Sequence, residues 1–444
     1  MVGSINYQVR PGGRLHGSIR VPGDKSISHR SVMLGALAEG VTEVSGLLEG
    51  EDVLATLGAF RAMGVSMEWS AAESRAAPRR LLIHGVGLHG LSRPSAVLDM
   101  GNSGTAMRLM AGILAGQNFD SELSGDASLR KRPMARVAAP LNAMGARVET
   151  AAGGLPPLKI RGGQALVGID YALPVASAQV KSAILLAGLY AQGTTTVTEP
   201  LPTRDHTERM LRGFGYPVES EGSRIRLVGG KALRACSIPV PADVSSAAFF
   251  MVGAAMTPNS EIVLEHVGIN PTRIGVINIL KQMGAALLLT NAREIGGEPV
   301  ADIRIAGGNL HGIVIPSDQV PLAIDEFPAL FIAAAAAVGK TILTGAKELR
   351  VKESDRIAVM AQGLRTLGIT VRELPDGIAI EGGSLRGGVV DSHGDHRVAM
   401  AFAMAGLRAG GAITIRDCKN VDTSFPGFVP LASRAGLSIT ESAE

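Results

Sequence analysis

The stretch "GDKSISHRSVMLGALAEG", residues 23–40, contains the unit from which the fold is built. It places Lys25, Ser26 and Arg30 directly after a Pro-Gly turn and continues as a run of small apolar side chains with helical spacing. Asp24 or Ser26 can cap such a helix, because a side-chain oxygen there satisfies N–H groups of the first turn. The free N–H groups and the cations would together bind an anion. A capped helix with solvated charges fits the same letters, so this stretch alone leaves both interpretations open.

This type of segment, a polar cluster that leads into a small-residue helix, occurs six times. The six segments begin near residues 23, 101, 176, 242, 325 and 394. A second type of helix alternates with the first and ends each time in a glycine, namely Gly64, Gly145, Gly215, Gly284, Gly368 and Gly436. Glycine adopts the left-handed conformation after a helix at the least cost, so each glycine predicts a helix end before a strand. A strand–helix–strand–helix–strand unit that recurs every ~70–80 residues predicts an α/β protein with two domains of three units.

Composition limits the class of protein. The chain has 444 residues, more than one ordinary core requires, and only 3% are aromatic, so Ala, Leu, Ile and Val must build two cores. The net charge of +3 is too small to indicate nucleic-acid binding. Cys236 and Cys418 lack metal-ligand spacing and are predicted to be reduced, buried thiols. The longest apolar run, residues 329–339, is too short to span a membrane, and the first residues lack a signal-peptide or transit pattern. We therefore predict a cytoplasmic protein without nucleic-acid or membrane partners.

Charged residues gather where the helices of the repeat begin. Helices in a repeat fold point the same way, so these residues would line one face of each domain, and two facing domains would form a cleft for ligands with several negative charges. Two alternatives stay open. In the first, the three carboxylates only cap helices, at Asp24, Asp243 and Asp325. In the second, "KESDR", residues 352–356, is a solvated first helical turn.

Eight motifs, in this order along the chain, resemble those of the 5-enolpyruvylshikimate-3-phosphate (EPSP) synthase family. They are "GDKSISHR", "GNSGTAMR", "RKRPM", "SAQVKSA", "TRDHTERM", "DEFPAL", "LRVKESDR" and "DHRVAMA". Each motif is weak alone, but eight in the right order within a six-unit layout are highly specific. The resemblance extends from Val21 to about Phe428, and the "SAQVKSA" and "RDHTE" sequences look like the branch that includes glyphosate-tolerant bacterial enzymes.

The resemblance implies a fold and an activity. The fold would be a two-domain inside-out α/β barrel with three βαβαββ repeats in each domain and the active site in the interdomain cleft. One domain would comprise residues 22–241, and the other would comprise 1–21 with 242–444. The enzyme would transfer the enolpyruvyl group of phosphoenolpyruvate to the 5-hydroxyl of shikimate 3-phosphate and release phosphate. It would need neither metal nor cofactor, act as a monomer and be inhibited by glyphosate.

The resemblance also implies roles for particular residues. Those that bind shikimate 3-phosphate would be Lys25, Ser26, Arg30, Ser177, Gln179, Arg204, Asp325 and Lys352. Those that bind phosphoenolpyruvate would be Lys25, Gly104, Arg132, Gln179, Arg356 and Arg397. Asp325 would be the base near the 5-hydroxyl, and Glu353 would transfer the second proton, with Lys25 as the alternative. Arginines suit this task because they bind carboxylates and phosphates with two hydrogen bonds. The chain departs from several relatives at Thr423, where they carry a lysine, and at Leu109, where some carry a proline.

Three other functions were weighed. Enolpyruvyl transfer to UDP-N-acetylglucosamine usually requires a cysteine in a loop beside the second-unit helix, and neither Cys236 nor Cys418 lies there. A phosphate-binding kinase would require G-x-x-x-x-G-K-[ST], which the sequence around Lys25 does not match. A binding module without catalysis would not need Asp325 and Glu353 beside so many cations, although the sequence alone does not exclude an inactive relative.

Overall fold

The computed structural model describes residues 5–71 and 79–443. Within these ranges the chain forms twelve α-helices. They are α1 (Lys25–Leu37), α2 (Glu51–Ala62), α3 (Gly104–Ala115), α4 (Ala135–Ala143), α5 (Ala178–Gly188), α6 (His206–Gly213), α7 (Val244–Met256), α8 (Gly275–Gln282), α9 (Phe327–Ala336), α10 (Arg356–Thr366), α11 (His396–Ala405) and α12 (Phe428–Ala435). All six predicted segments of the first type form helices, which are the odd-numbered ones.

The strands of the described residues alternate with these helices. They are β1 (Ile5–Gly13), β2 (His16–Ile19), β3 (Ala38–Ser45), β4 (Ser66–Trp69), β5 (Arg80–Val86), β6 (Leu98–Asp99), β7 (Ser121–Ser124), β8 (Arg147–Ala151), β9 (Leu155–Arg161), β10 (Asp170–Ala172), β11 (Thr194–Thr198), β12 (Glu219–Glu221), β13 (Arg224–Val228), β14 (Leu233–Arg234), β15 (Ser237–Pro239), β16 (Glu261–Gly268), β17 (Ala286–Ile295), β18 (Glu298–Ala306), β19 (Lys340–Leu343), β20 (Thr370–Leu374), β21 (Gly377–Glu381), β22 (Gly388–Asp391), β23 (Ile413–Arg416) and β24 (Leu437–Ala443).

The even-numbered helices end as the glycines predicted. All six glycines have a positive φ, from 75° at Gly215 to 111° at Gly436, and a strand follows the turn in each case. This is the left-handed conformation that a side chain would strain, so the sequence signal and the backbone geometry have one cause.

Six sheets correspond to the six repeats. Their strand orders are β14-β3-β5-β4 with β15 also beside β3, β6-β7-β9-β8, β10-β11-β13-β12, β17-β18-β16-β2, β19-β21-β20 and β22-β23-β1-β24. In the second repeat β6 pairs in parallel with β7, whereas β7 and β8 pair antiparallel with β9. The third repeat has the same pattern, so the unit is βαβαββ. The last sheet takes β1 from the start of the chain, between β23 and β24.

The contacts of the chain divide it into two compact units. The N-terminal unit comprises Gly23–Val240 and the short segment Ile295–Glu298, and the C-terminal unit comprises the described residues 5–22, 241–294 and 299–443. The sequence did not indicate that the tip of the β17–β18 hairpin belongs to the N-terminal unit.

Each unit has its odd-numbered helices inside and its sheets outside. In the C-terminal unit α7, α9 and α11 pack against one another, and every residue of α7 is buried. In the N-terminal unit α3 packs against both α1 and α5. A helix that is buried on all sides has no polar face, which explains the runs of Ala, Leu and Ile in these segments. No helix among the described residues combines the length and apolar character that a membrane span requires.

Candidate active site

Side chains join the starts of several helices in the N-terminal unit. Gln179, at the start of α5, donates to the Thr105 hydroxyl of α3 at 2.8 Å and accepts a hydrogen bond from Arg108. Arg30 of α1 donates to Ser182 of α5 at 2.8 Å and to Thr207 of α6 at 2.7 Å. The helix starts that the repeat predicted to share a face are therefore in contact here.

Lys25 is the first residue of α1, and Asp24 before it accepts a hydrogen bond from the backbone N–H of Ile27 at 2.9 Å. Asp24 is thus an N-cap, as one of the two interpretations held. The Lys25 ammonium lies 3.0 Å from Asp52 in the first turn of α2, and 17% of its side chain is exposed. The lysine pairs with a carboxylate and remains partly exposed.

Gly104 begins α3 beside two guanidinium groups. A Cβ atom at this position would lie 3.0 Å from the Arg132 Nη1 and 3.6 Å from the Arg108 Nη1. Arg132 itself donates to the Asn102 side-chain oxygen at 2.9 Å. The backbone N–H groups at this helix start and the nearby cations create an environment that favours an anion.

Arg30 is almost fully buried. Burial lowers the pKa of Arg30 to about 10, Glu208 and Asp24 oppose this effect, and the nearby Arg204 adds to it. The guanidinium therefore keeps its charge at neutral pH. Its Nη1 also donates to the backbone oxygen of Ser26 at 3.0 Å, so these two predicted ligands of shikimate 3-phosphate are in contact.

Ser177 caps α5 by accepting a hydrogen bond from the Val180 N–H at 3.4 Å. Behind it, Lys181 is completely buried and pairs with Glu199 at 3.0 Å and Glu208 at 2.7 Å. Burial raises the pKa of Glu199, although Lys181 acts against this. The sequence does not reveal this cluster except through a lysine inside an otherwise apolar helix.

The C-terminal unit gathers carboxylates around one arginine. The Arg356 guanidinium lies 2.8 Å from Asp395, 2.5 Å from Glu353 and 3.5 Å from Asp325, and only 1% of its side chain is exposed. Burial opposes the charge of Arg356, but these three carboxylates outweigh it and raise the pKa of Arg356 above its ordinary value. Lys352 lies 3.2 Å from Asp325. The alternative that "KESDR" forms a solvated helical turn is therefore wrong, because its arginine is buried.

Arg397 approaches the same cluster from the start of α11. Its Nη1 donates to the backbone oxygen of Asp325 at 2.9 Å and lies 3.7 Å from Glu326, which is buried. Glu326 accepts from Ser245, and Asp243 caps α7 while it pairs with Arg273 at 3.3 Å. Arg273 and Asp52 could not be predicted as part of these clusters, because the residues near each of them in the sequence do not indicate its ion-pair partner.

The two cysteines and Thr423 have the following surroundings. The two cysteines are free; Cys418 is buried, where burial raises its pKa to about 12, but Cys236 is only half-buried. Thr423 is buried and donates to the backbone oxygen of Asn420 at 2.7 Å. Across residues 5–71 and 79–443, no group of three or more His, Cys, Asp or Glu side chains is arranged to hold a metal ion.

Comparison with known proteins gives a consistent result. Residues 9–431 match the family model described as EPSP synthase (3-phosphoshikimate 1-carboxyvinyltransferase). A 3-phosphoshikimate 1-carboxyvinyltransferase from Methylococcus capsulatus is 66% identical over 435 residues, with 98% of both chains covered, and one from Alkalilimnicola ehrlichii is 63% identical over 437 residues, with 98% of this chain and 97% of the relative covered. The structure of EPSP synthase from Acinetobacter baumannii aligns with a TM-score of 0.87 at 60% identity and covers 99% of this chain and 100% of that chain. The enolpyruvyl transferase NikO from Streptomyces tendae aligns over both whole chains with a TM-score of 0.78, but at 17% identity it supports the fold alone.

These matches cover nearly the whole chain, and they agree with the six βαβαββ repeats and with the order of the motifs. The chain therefore belongs to the EPSP synthase family.

Proposed function

We propose that this chain transfers the enolpyruvyl group of phosphoenolpyruvate to the 5-hydroxyl of shikimate 3-phosphate, with release of phosphate, through the residues predicted above. The observation that carries the proposal is the pairing of cations with accessible carboxylates. Lys352 lies 3.2 Å from Asp325, and the side chains of Asp325 and Glu353 are 14% and 15% exposed. Both substrates are anions that need cations, and their reaction needs two proton transfers, so a set of cations with two reachable carboxylates fits it.

The N-terminal unit supplies most of the proposed binding groups. Lys25, Ser26, Arg30, Ser177, Gln179 and Arg204 would hold shikimate 3-phosphate. Phosphoenolpyruvate would lie at the start of α3, where Gly104 leaves space beside Arg132, and it would also contact Lys25 and Gln179. The anion is favoured there because helix N–H groups and guanidinium groups act together.

The C-terminal unit supplies the proposed proton transfers. Asp325 removes the proton of the 5-hydroxyl while the hydroxyl oxygen bonds to C2 of phosphoenolpyruvate. At the same time a proton is added to C3. The C2–O bond to phosphate then breaks, and C3 loses a proton to restore the double bond, so that atoms and electrons balance. Arg356 and Arg397 would bind phosphoenolpyruvate and stabilise the negative charge of the departing phosphate, and Lys352 would bind a hydroxyl of shikimate 3-phosphate.

Two residues are candidates for the group that donates the proton to C3. Glu353 lies 2.5 Å from Arg356, and Lys25 lies 3.0 Å from Asp52, so both are held in place. A positioned acid of either type supplies a proton well if its geometry is right. Comparison of Glu353→Gln with Lys25→Met in deuterated water would separate them, since only the true donor controls exchange of deuterium into the methylene group.

The experiment that tests the proposal measures phosphate release from shikimate 3-phosphate plus phosphoenolpyruvate. We expect release only with both substrates, and loss of it in Arg132→Ala without loss of folding. The control is Arg161→Ala, an exposed arginine of the same unit that pairs with Asp120. An intact native chain that releases no phosphate would refute the proposed function.

Four finer properties belong to the proposal. The enzyme acts as a monomer, glyphosate inhibits it by competing for the phosphoenolpyruvate site, and the domains are residues 22–241 and the remainder. It acts in the cytoplasm, in keeping with the two free thiols of Cys236 and Cys418, which are typical of a reducing compartment.

A further inference from the structure

A buried histidine links two helix starts of the N-terminal unit. The Nδ1 of His29 lies 2.8 Å from the Thr56 hydroxyl of α2, and its Nε2 lies 3.2 Å from the Ser103 hydroxyl that caps α3. The imidazole is completely buried. It cannot touch a ligand, so any role in the reaction must act through these two neighbours.

The other contacts of the two hydroxyls favour one direction for each hydrogen bond. The Ser103 oxygen accepts from the Ala106 N–H at 3.1 Å, so its own proton is available to the His29 Nε2. The Thr56 hydroxyl donates to the backbone oxygen of Asp52 at 3.4 Å, so it can accept from the His29 Nδ1. The Nδ1–H tautomer satisfies both neighbours, whereas the Nε2–H tautomer would turn the Thr56 and Ser103 protons away from these partners.

The charge state of the ring agrees with this chain of hydrogen bonds. Burial, with the nearby charges of Lys25 and Arg30, lowers the pKa of His29 to about 3 despite the opposing effect of Asp24. The ring is therefore neutral near pH 7, and a neutral ring can accept the Ser103 proton.

Both ends of this series of hydrogen bonds lie beside groups of the proposed active site. At one end the Asp52 side chain pairs with Lys25 at 3.0 Å. At the other end Ser103 lies between Gly104 and Asn102, which accepts from Arg132 at 2.9 Å. His29 thus links Thr56 by hydrogen bonds to the start of α3.

We propose that His29, as its Nδ1–H tautomer, is a positioning residue that uses Thr56 and Ser103 to fix the turn at Gly104 where phosphoenolpyruvate binds. This inference rests on the proposed function. It differs from a simple packing role because it predicts a tautomer, and because it predicts an effect on one substrate rather than on both.

The sharpest test is Thr56→Val, which keeps the shape of the side chain and removes the acceptor of the His29 Nδ1–H. The matched control is Thr42→Val, since Thr42 is also completely buried and its hydroxyl has no hydrogen-bond partner among the described residues. We expect Thr56→Val to raise KM for phosphoenolpyruvate about fivefold, the factor that one neutral hydrogen bond supplies, and to leave KM for shikimate 3-phosphate within about twofold. Thr42→Val should change neither constant.

Nitrogen-15 NMR of histidine-labelled protein supplies the second readout, with the His29 signals assigned by their loss in His29→Asn. We expect a protonated Nδ1 in the native chain and in Thr42→Val, and a protonated Nε2 in Thr56→Val. A native Nε2–H tautomer, equal changes in both KM values, or no change in either would overturn the inference. If the native chain releases no phosphate, the proposed function fails instead, and the tautomer is still measured independently of it.

Discussion

Replacement of Gly104 by alanine tests the geometry of the proposed phosphoenolpyruvate site most directly. The new Cβ atom would lie 3.0 Å from the Arg132 Nη1 and 3.7 Å from its Cδ. Because the close neighbour is the end of a flexible side chain, Arg132 should withdraw by a few tenths of an ångström while the backbone stays in place. Alanine is also a good helix former at this first position of α3.

The structural shift sets the expected size of the effect. A misplacement of about 1 Å in a catalytic group costs about 100-fold, so a displacement of about half that should lower kcat/KM for phosphoenolpyruvate about tenfold. In the proposed phosphoenolpyruvate site, Gly104 would also leave room for glyphosate. We expect the inhibition constant of glyphosate to rise more than KM for phosphoenolpyruvate, because the larger ligand meets the added methyl group as well as the displaced arginine.

The assay is the initial rate of phosphate release at saturating shikimate 3-phosphate, with phosphoenolpyruvate and glyphosate varied. Gly58→Ala is the matched control, since Gly58 lies in α2 with nothing within 4 Å of its added Cβ. The control should keep its kinetics and gain about 0.5–1 kcal/mol of stability. Equal glyphosate sensitivity in Gly104→Ala and the native enzyme would refute the reasoning, as would an equal loss of affinity for shikimate 3-phosphate.

Three further predictions concern stability, catalysis and pH. Lys181→Met should lower the free energy of unfolding, measured in urea, by about 3–5 kcal/mol because it leaves two buried carboxylates without their cation. The control Lys159→Met changes an exposed lysine and should have little effect. A loss below about 1 kcal/mol in Lys181→Met would contradict the prediction. Asp325→Asn should lower kcat by about 10²–10⁴-fold. Its affinity for shikimate 3-phosphate, measured by calorimetry, should stay within a few-fold of the native value, and a parallel loss of affinity would mean that Asp325 binds this substrate without transferring a proton. His29 has a pKa of about 3 when folded against an ordinary value of 6.5, so its stabilising contribution is present above 6.5 and is lost as the pH falls toward 3. The native chain should lose about 2 kcal/mol between pH 7 and pH 5 relative to His29→Gln, and parallel pH curves for the two proteins would contradict this.

The sequence predicted those parts of the fold that depend on local chemistry. Gly64 and Gly436 could be recognised because a left-handed residue after a helix favours glycine whatever its surroundings. Helix α7 could be recognised because a helix buried on every side must be apolar throughout. Neither inference needs knowledge of a distant contact, which is why all twelve helices of the described ranges were found.

The partners of the charged residues could not be predicted in the same way. Lys25 pairs with a residue 27 positions away, and Arg356 pairs with Asp395, 39 positions away. Several acids would have been equally good partners for each cation, and only the packed repeats decide among them. The pair of His206 with Glu298, 2.8 Å apart, depends likewise on a hairpin tip that joins the N-terminal unit.

The surroundings of Arg356 connect ligand binding with proton transfer. Its guanidinium already pairs with Glu353 at 2.5 Å and Asp325 at 3.5 Å, which are the two carboxylates proposed to move protons. An anionic ligand that binds the Arg356 donors would compete with these contacts, and a carboxylate that loses a neighbouring cation takes up a proton more readily. We therefore expect Arg356→Lys, which keeps one charge but loses the fork of donors, to lower kcat as well as to raise KM for phosphoenolpyruvate. Arg397 contacts Asp325 through the backbone oxygen, at 2.9 Å, rather than through the carboxylate, so Arg397→Lys should mainly raise KM. Steady-state kinetics of the two variants tests this expectation. If kcat is unchanged in both, Arg356 binds the ligand without influencing the proton transfers.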